Sequence, residues 1–143
     1  MTGVKDRVAL VTGAGSPDGI GFATAKLLHA AGARVAITST TDRIQERCEE
    51  LGGQEGGVVG IAADLTDATA VADLNARVEG ALGPVEILVN NAGMVQIGRD
   101  EPSALFHEVS DEKWRYGIDM SLTSAFLMTR AVLPSMMNRE YGR

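Results

Sequence analysis

Four nearly continuous apolar runs constrain the fold of this chain more than any other feature of its sequence. They have the length of β-strands and cover residues 7–12, 34–39, 57–62 and 85–90. A strand with one face in water alternates polar and apolar residues, whereas a parallel strand covered on both faces does not. These runs therefore predict buried parallel strands.

Helical patterns fill the intervals between the runs, with apolar residues three or four positions apart. The stripes comprise Ile20, Ala23, Leu27 and Ala31, ended by Gly32; then Ile44, Cys48 and Leu51; then Val71, Leu74, Val78 and Leu82. Asp42 and Gln45 have the spacing of a capping box for the second helix. Thr66 and Gly83-Pro84 are predicted to begin and end the third.

A last helix is predicted to begin at Ser110, because Asp111 and Glu112 follow where the helix dipole favours negative charge. Pro134 is expected to bend or loosen its last turns. Periodicity does not distinguish whether its apolar stripe faces the sheet or another subunit. The stripe comprises Trp114, Ile118, Leu122, Phe126, Thr129, Leu133 and Met137.

Alternating strands and helices with short connections predict an α/β chain with a Rossmann-type, doubly wound parallel sheet. About four strands are expected, in the order 3-2-1-4, within one domain over residues 1–143. Ligands bind such sheets at the carboxyl ends of strands 1 and 4. Strand 4, with Ile87-Leu88-Val89, would be an exposed apolar edge. Residues 94–109 form the one long irregular connection.

Composition excludes several classes of partner. The net charge of −6 argues against a nucleic acid, which would require a basic face. No run approaches the roughly 18 apolar residues of a membrane span, so no membrane partner is expected. The single cysteine, Cys48, has no partner for an internal disulfide, which fits a reducing compartment. We therefore expect a cytoplasmic protein. No metal site is expected, because His29 and His107 lack partners at ligand spacing.

A glycine-rich turn follows the first strand and opens the first helix, with the sequence Thr12-Gly13-Ala14-Gly15-Ser16-Pro17-Asp18-Gly19-Ile20-Gly21. Backbone N–H groups and a helix N-terminus suit the pyrophosphate of a dinucleotide. Gly13 would allow the tight turn, Gly19 the approach of the ligand, and Gly21 the close packing of helix on strand. Ser16 and Ile20 would contact the cofactor from the same turn. A purely structural turn is the alternative.

The end of the second strand bears on the choice of cofactor. Enzymes of this fold that use NAD place an acidic residue there to bind the ribose 2′-hydroxyl. That position is Ser39, followed by Thr40 and Thr41, so no carboxylate would repel a 2′-phosphate, and these three hydroxyls together with Arg43 could receive one. The sequence favours NADP over NAD. The alternative is that Arg43 is a solvated residue at the start of a helix.

Three motifs in this order give the chain a resemblance to a known family. They are Thr-Gly with Gly-Ile-Gly, then Asp64-Leu65-Thr66, then Asn90-Asn91-Ala92-Gly93. Over essentially its whole length the chain resembles the short-chain dehydrogenases/reductases, notably the 3-oxoacyl-carrier-protein-reductase-like branch. The resemblance implies that Asp64, beside Leu65, bonds the adenine amino group, and that Asn90, Ala92 and Gly93 lie along the cofactor. Without it, Asp64 reads as a strand-end cap.

The same resemblance implies hydride transfer between NADP(H) and a small carbonyl or alcohol substrate, in a homo-oligomer formed through the last helix. It also implies a Ser, a Tyr and a Lys four residues after the Tyr as the proton relay, and no such Tyr-x-x-x-Lys pair occurs here. Tyr116 with Lys113 is not expected to replace it. The chain would thus be the cofactor-binding portion of an enzyme, inactive by itself. A non-catalytic nucleotide-binding module and an inactive fragment remain as alternatives.

The chain departs from the family pattern at two places. Five residues separate Gly13 from Gly19, where the family has three, and the insert contains Asp18, which we expect to cap the helix or face solvent. The family also has an Asn seven residues after its Trp, and that Asn helps to organise the relay. Counting from Trp114, this position is Ser121, so a hydroxyl stands where the amide is usual.

Overall fold

The computed structural model of the chain describes residues 3–93 and 105–143. Within these residues one parallel sheet contains β1 (Val8–Val11), β2 (Arg34–Ser39), β3 (Val58–Ala62) and β4 (Ile87–Val89). Their order is β3-β2-β1-β4, and every neighbouring pair is parallel. The predicted fold class and strand order are confirmed.

The described residues form five α-helices: α1 (Ile20–Ala30), α2 (Ile44–Glu50), α3 (Ala68–Leu82), α4 (Asp111–Ile118) and α5 (Ser124–Asn138). One turn of π-helix, Asp119–Thr123, joins α4 directly to α5. Short 3₁₀ turns occur at Gln54–Gly56 and Phe106–Glu108. Most of the predicted irregular connection, residues 94–104, lies outside the described residues.

Apolar side chains cover the sheet on both faces. On one face β1 packs against α3 and α5 through Leu10, Leu74 and Met128. On the other face Val35 and Phe22 belong to the core shared with α1 and α2. All four residues of β1 are fully buried, which explains why its sequence is continuously apolar rather than alternating.

The apolar stripe predicted for α1 is wrong. Ile20 and Leu27 are 73% and 64% exposed, whereas Gly21, Phe22 and Ala25 are buried. Gly21 has to lie directly against the glycine turn, because a Cβ on it would come within 2.7 Å of the Gly13 carbonyl oxygen. Close packing on the glycine turn therefore fixes which face points inward. The stripes of α2 and α3 are confirmed: Ile44, Cys48, Val71, Leu74, Val78 and Leu82 are buried and Leu51 is partly buried.

The stripe predicted for the last helix does not pack on the sheet. Its large members are exposed: Trp114, Leu122, Phe126, Leu133 and Met137. A second apolar face is buried with the residues of α3 instead: Leu127, Met128, Val132 and Met136. Both faces of α5 are apolar, and the periodicity of the sequence selected the face that is exposed in the structure. The helix also continues through Pro134 to Asn138.

The predicted helix starts are correct in part. Ser110 caps α4, with its hydroxyl accepting from the Lys113 N–H, as expected. Thr66 does not cap α3, because its own hydroxyl bonds Asp64, and the cap is Asp67, which accepts from the Thr69 N–H. Asp42 makes no cap, since α2 begins one residue later, after Arg43, without a side-chain hydrogen bond.

The edge of β4 is partly occupied by the residue that follows the turn after α5. The Arg143 N–H donates to the Glu86 carbonyl oxygen at 3.0 Å, and the Leu88 N–H donates to the Arg143 carbonyl oxygen at 2.8 Å. This is the bonding pattern of a parallel bridge. The apolar edge predicted at β4 is therefore covered at Arg143.

Candidate nucleotide-binding site

A cavity of about 220 Å³ lies at the carboxyl edge of the sheet, between the turns that follow β1, β2, β3 and β4. It contains the point where the strand order reverses between β1 and β4. Most of the predicted site residues line it: Gly13, Ser16, Gly19, Ile20, Ser39, Thr40, Arg43, Asp64, Leu65, Ala92 and Gly93. Residues far apart in the sequence are therefore brought together as predicted.

Two predicted residues do not line this cavity. Gly21 lies beneath the turn, where a Cβ would come 2.6 Å from the Asn91 side-chain nitrogen, so it serves the close packing expected of it. Asn90 lines a second cavity, of about 470 Å³, between β4 and α5. Its side-chain nitrogen donates to the Thr129 hydroxyl at 3.1 Å. The position of this side chain does not support the cofactor contact expected for Asn90.

The glycine turn leaves the N-terminus of α1 open. Gly13 has a φ of 69°, a left-handed conformation that favours glycine. Gly19 is the N-cap residue and is extended, no side chain among residues 3–93 and 105–143 caps the helix, and its first turn contains no acidic residue. The inserted Asp18 is exposed to solvent and is not the cap. The N–H groups of this terminus are thus suited to an anion.

Thr12 joins the two turns that meet at the switch point. Its hydroxyl donates to the Val89 carbonyl oxygen at 3.2 Å and accepts from the N–H groups of Asn91 and Ala92 at 2.9 and 3.0 Å. The Asn91 side chain donates in return to the carbonyl oxygens of Thr12 and Gly13 at 3.0 and 3.2 Å. The Asn-Asn-Ala-Gly segment is thereby fixed against the glycine turn.

The end of β2 contributes positive charge. The Ser39 hydroxyl donates to the Thr41 carbonyl oxygen at 2.8 Å, so its hydrogen is already engaged within the turn. Arg43 lines the cavity beside Gly15, and it forms no salt bridge with any carboxylate of residues 3–93 or 105–143. An unpaired guanidinium at this corner is suited to a phosphate.

Asp64 caps the end of β3, which was the structural alternative to a contact with the cofactor. One carboxylate oxygen accepts from the Thr66 N–H at 2.9 Å and from the Thr66 hydroxyl at 2.7 Å, which closes the turn after β3. The residue also lines the cavity. Capping and ligand contact are therefore compatible in this geometry.

The π-helical turn adds residues that sequence reasoning missed. Met120 and Ser124 line the cavity, and Ser124 is buried with its hydroxyl donating to the Met120 carbonyl oxygen at 2.7 Å. Ser121, at the position of the family Asn, donates to the Gly93 carbonyl oxygen at 3.0 Å. Sequence periodicity could not predict that these residues face the cavity, because the extra residue of a π-turn changes the direction in which the following helical side chains point. Ala63 and Thr66 were also missed, although they adjoin Asp64-Leu65.

The tyrosines lie elsewhere. Tyr116 is on α4 and outside the cavity lining, and Tyr141 stacks under the Arg7 guanidinium, 4.0 Å from the ring centre. Within the described part of the chain, no group of three His, Cys, Asp or Glu side chains could hold a metal ion. A search of the same residues found no helix long and apolar enough to cross a membrane.

An open parallel sheet with a glycine turn and an uncapped helix N-terminus at its switch point is the arrangement of the nucleotide-binding α/β proteins. Residues 7–143 match the family model described as short chain dehydrogenase. The chain belongs to this family.

Individual relatives agree with the family assignment. The acetoacetyl-CoA reductase of Rhizobium meliloti (strain 1021) is 42% identical over 96% of this chain and 52% of its own length. The 3-oxoacyl-[acyl-carrier-protein] reductase FabG of Escherichia coli (strain K12) is 36% identical over 97% of this chain and 53% of its own. A solved structure of a putative gluconate dehydrogenase from Agrobacterium tumefaciens superposes with a TM-score of 0.85 and 33% identity, over 98% of this chain and 53% of the other. The chain thus spans about half the length of these relatives.

Proposed function

We propose that this chain binds NADP(H) as the cofactor-binding portion of an oxidoreductase that interconverts a small ketone and an alcohol. The observation that carries the proposal is the cavity at the switch point, where no described side chain caps the N-terminus of α1 and the Arg43 guanidinium forms no salt bridge with the described carboxylates. Two relatives are named as reductases of acetoacetyl and 3-oxoacyl compounds, which supports a ketone as the substrate.

The pyrophosphate would lie against the turn from Gly13 to Ile20, with its charge facing the N-terminus of α1. Asp64 and Leu65 would contact the adenine. The Asn91–Gly93 turn, fixed by Thr12, would adjoin the nicotinamide end. When bound, the nicotinamide supplies or accepts the hydride. The role of these residues is to hold and orient the dinucleotide.

NADP rather than NAD is proposed because the residue at the end of β2 is Ser39 rather than an acidic residue, and the Arg43 guanidinium lines the cavity with it. The test is a fluorescence titration with NADPH and NADH of the unmodified protein, of Ser39→Asp and of Thr69→Asp. Ser39→Asp should lower the affinity for NADPH relative to NADH by about tenfold or more, since the new carboxylate would face the 2′-phosphate. Thr69→Asp adds the same charge at an exposed position outside the cavity and should leave the ratio unchanged. Equal effects of the two variants would contradict the proposed 2′-phosphate position.

We expect this chain to bind the cofactor without turnover, because it contains no Tyr-x-x-x-Lys pair and neither tyrosine lines the cavity. The assay is NADPH oxidation with acetoacetyl-CoA as the added ketone. Measurable turnover by this chain would show that another residue donates the proton.

We also propose that the exposed apolar face of α4 and α5 is the surface through which copies of the protein associate. Trp114, Phe126 and Met137 are more than half exposed along it. Phe126→Glu should lower the average mass measured by light scattering, because a charge would be buried in the interface. Leu27→Glu changes an exposed leucine on α1 and is the matched control. An unchanged mass in Phe126→Glu would refute this surface.

Residues 1–143 are proposed to form one domain, and the location of the protein is proposed to be the cytoplasm. Cys48 supports the location, because it is buried and free. Burial raises the pKa of its thiol and so favours the unreactive protonated form.

A further inference from the structure

The requirement for glycine at position 15 comes from the space around it and not from its backbone conformation. Its φ lies outside the left-handed region, so the backbone would accept any L-residue. A Cβ at this position would nevertheless come 2.8 Å from the Ser39 Cβ, 3.1 Å from the Ser39 hydroxyl oxygen and 3.4 Å from the Arg43 Nε. Space for Ser39 and Arg43 is therefore what requires glycine here.

Backbone hydrogen bonds hold the glycine turn and β2 together. The Ala14 N–H donates to the Thr38 carbonyl oxygen at 3.0 Å, and Ala14 is fully buried. Ser39 is held in the sheet by its pairing with Ala62 of β3, and its carbonyl oxygen accepts from the Ala63 N–H at 2.9 Å. The Cβ atom of Ser39 is thus fixed by backbone on both sides. A side chain at Gly15 would therefore strain these contacts, and the shift needed to relieve the clash would change the part of the turn against which the Arg43 side chain lies.

We propose that Gly15 determines cofactor specificity by leaving room for the Arg43 guanidinium to lie across the glycine turn and bind the 2′-phosphate. The inference rests on the proposed function and adds to it a second position that controls the preference for NADP. Ser39 does not replace Arg43 as the donor, because its hydroxyl hydrogen is bonded to the Thr41 carbonyl oxygen. A nucleotide with a 2′-hydroxyl gains little from the guanidinium, so displacing Arg43 affects mainly the phosphorylated ligand.

The test uses adenosine 2′,5′-bisphosphate and 5′-AMP, which differ only in the 2′-phosphate. Isothermal titration of the unmodified protein should show a preference for the bisphosphate of about tenfold or more. Gly15→Ala should lose most of that ratio. Gly80→Ala is the matched control, because nothing lies within 4 Å of a Cβ at Gly80, and it should retain the ratio. Gly15→Ala combined with Arg43→Ala should have the ratio of Arg43→Ala alone, since both act through one guanidinium.

A second pair of variants covers the case in which Gly15→Ala does not fold. With Ser39→Gly as the background, the nearest remaining contact of a Cβ at Gly15 would be the Arg43 Nε at 3.4 Å, an ordinary van der Waals distance. In that background Gly15→Ala should keep the ratio of Ser39→Gly, whereas the larger Gly15→Val should lose it. Equal ratios in these two double variants would overturn the inference.

Three further results separate the inference from the proposed function. If the unmodified protein prefers the bisphosphate and Gly15→Ala keeps that preference, the inference fails and the NADP proposal stands. If Gly15→Ala lowers the affinity for both ligands by the same factor, Gly15 only supports the turn and the inference is overturned. If the unmodified protein binds both ligands equally, or neither, the proposed function fails and the inference falls with it.

Discussion

The Thr12 hydroxyl accepts two backbone N–H groups where the two cofactor turns meet, so Thr12→Val should loosen that junction, although the Asn91 side chain still bridges it. Valine has nearly the same shape and keeps the buried methyl group, and Thr12 itself is only 1% exposed. The Val89 carbonyl oxygen keeps its bond from the Thr12 backbone N–H at 3.0 Å. The N–H groups of Asn91 and Ala92 lose their acceptor.

Thr12→Val removes three hydrogen bonds, and the two N–H donors that it leaves without an acceptor set the magnitude. A typical hydrogen bond contributes about 0.5–1.5 kcal/mol net, and a buried donor left without a partner costs about 1–3 kcal/mol. Asn91 and Ala92 are only partly buried, so water can reach them to some extent and the lower values apply. We expect Thr12→Val to lower the free energy of unfolding by about 2–3 kcal/mol. Thr12→Ser keeps the hydroxyl and removes one methyl group, which should cost about 1 kcal/mol.

The assay is urea unfolding of both variants together with amide hydrogen exchange. With a slope of about 1–3 kcal/mol per molar urea, Thr12→Val should unfold at a midpoint about 1 M lower than the unmodified protein. The amides of Asn91 and Ala92 should exchange faster in Thr12→Val than in Thr12→Ser. The reasoning is refuted if Thr12→Val is as stable as Thr12→Ser and both amides remain protected.

Two further predictions concern packing and charge. Gly21→Ala should lower the free energy of unfolding by about 2 kcal/mol or more, since a Cβ there would lie 2.7 Å from a backbone atom. Gly80→Ala should instead raise it by up to about 1 kcal/mol, because nothing lies near a Cβ at that position of α3. Urea midpoints that shift in the same direction in both variants would contradict this. Burial raises the pKa of Glu86, but hydrogen bonds from the Arg7 guanidinium and the Val8 N–H and the nearby positive charges outweigh it, so the net pKa is lowered. The carboxylate therefore stabilises the fold above the unfolded pKa near 4.5 and loses this effect as the pH falls through its folded value. The stability difference between the unmodified protein and Glu86→Gln should be present at pH 7 and shrink below about pH 4; a constant difference would show that the charge is not responsible.

Local sequence patterns were sufficient for the strands and for the turn that opens α1. The end of β2 at Ser39 and the cluster of Gly13, Gly19 and Asp64 around one cavity follow from strand order, because parallel strands bring their carboxyl ends to one edge. Asn90 was placed on the cofactor by resemblance alone. Its side chain lies in the other cavity, because the side chains of adjacent residues leave a strand end in different directions.

The sequence by itself determined the parallel sheet, its strand order and the cavity at the switch point, since continuous apolar runs and glycine positions depend on short-range chemistry. Tertiary structure alone decided which apolar face of α1 and of α5 is buried, because a helix with two apolar faces turns inward the one whose side chains fit its neighbours. It also decided the π-helical turn that brings Met120 and Ser124 to the cavity, and the fixed contact between Gly15 and Ser39. These features arise from the approach of segments distant in sequence, which no local pattern encodes.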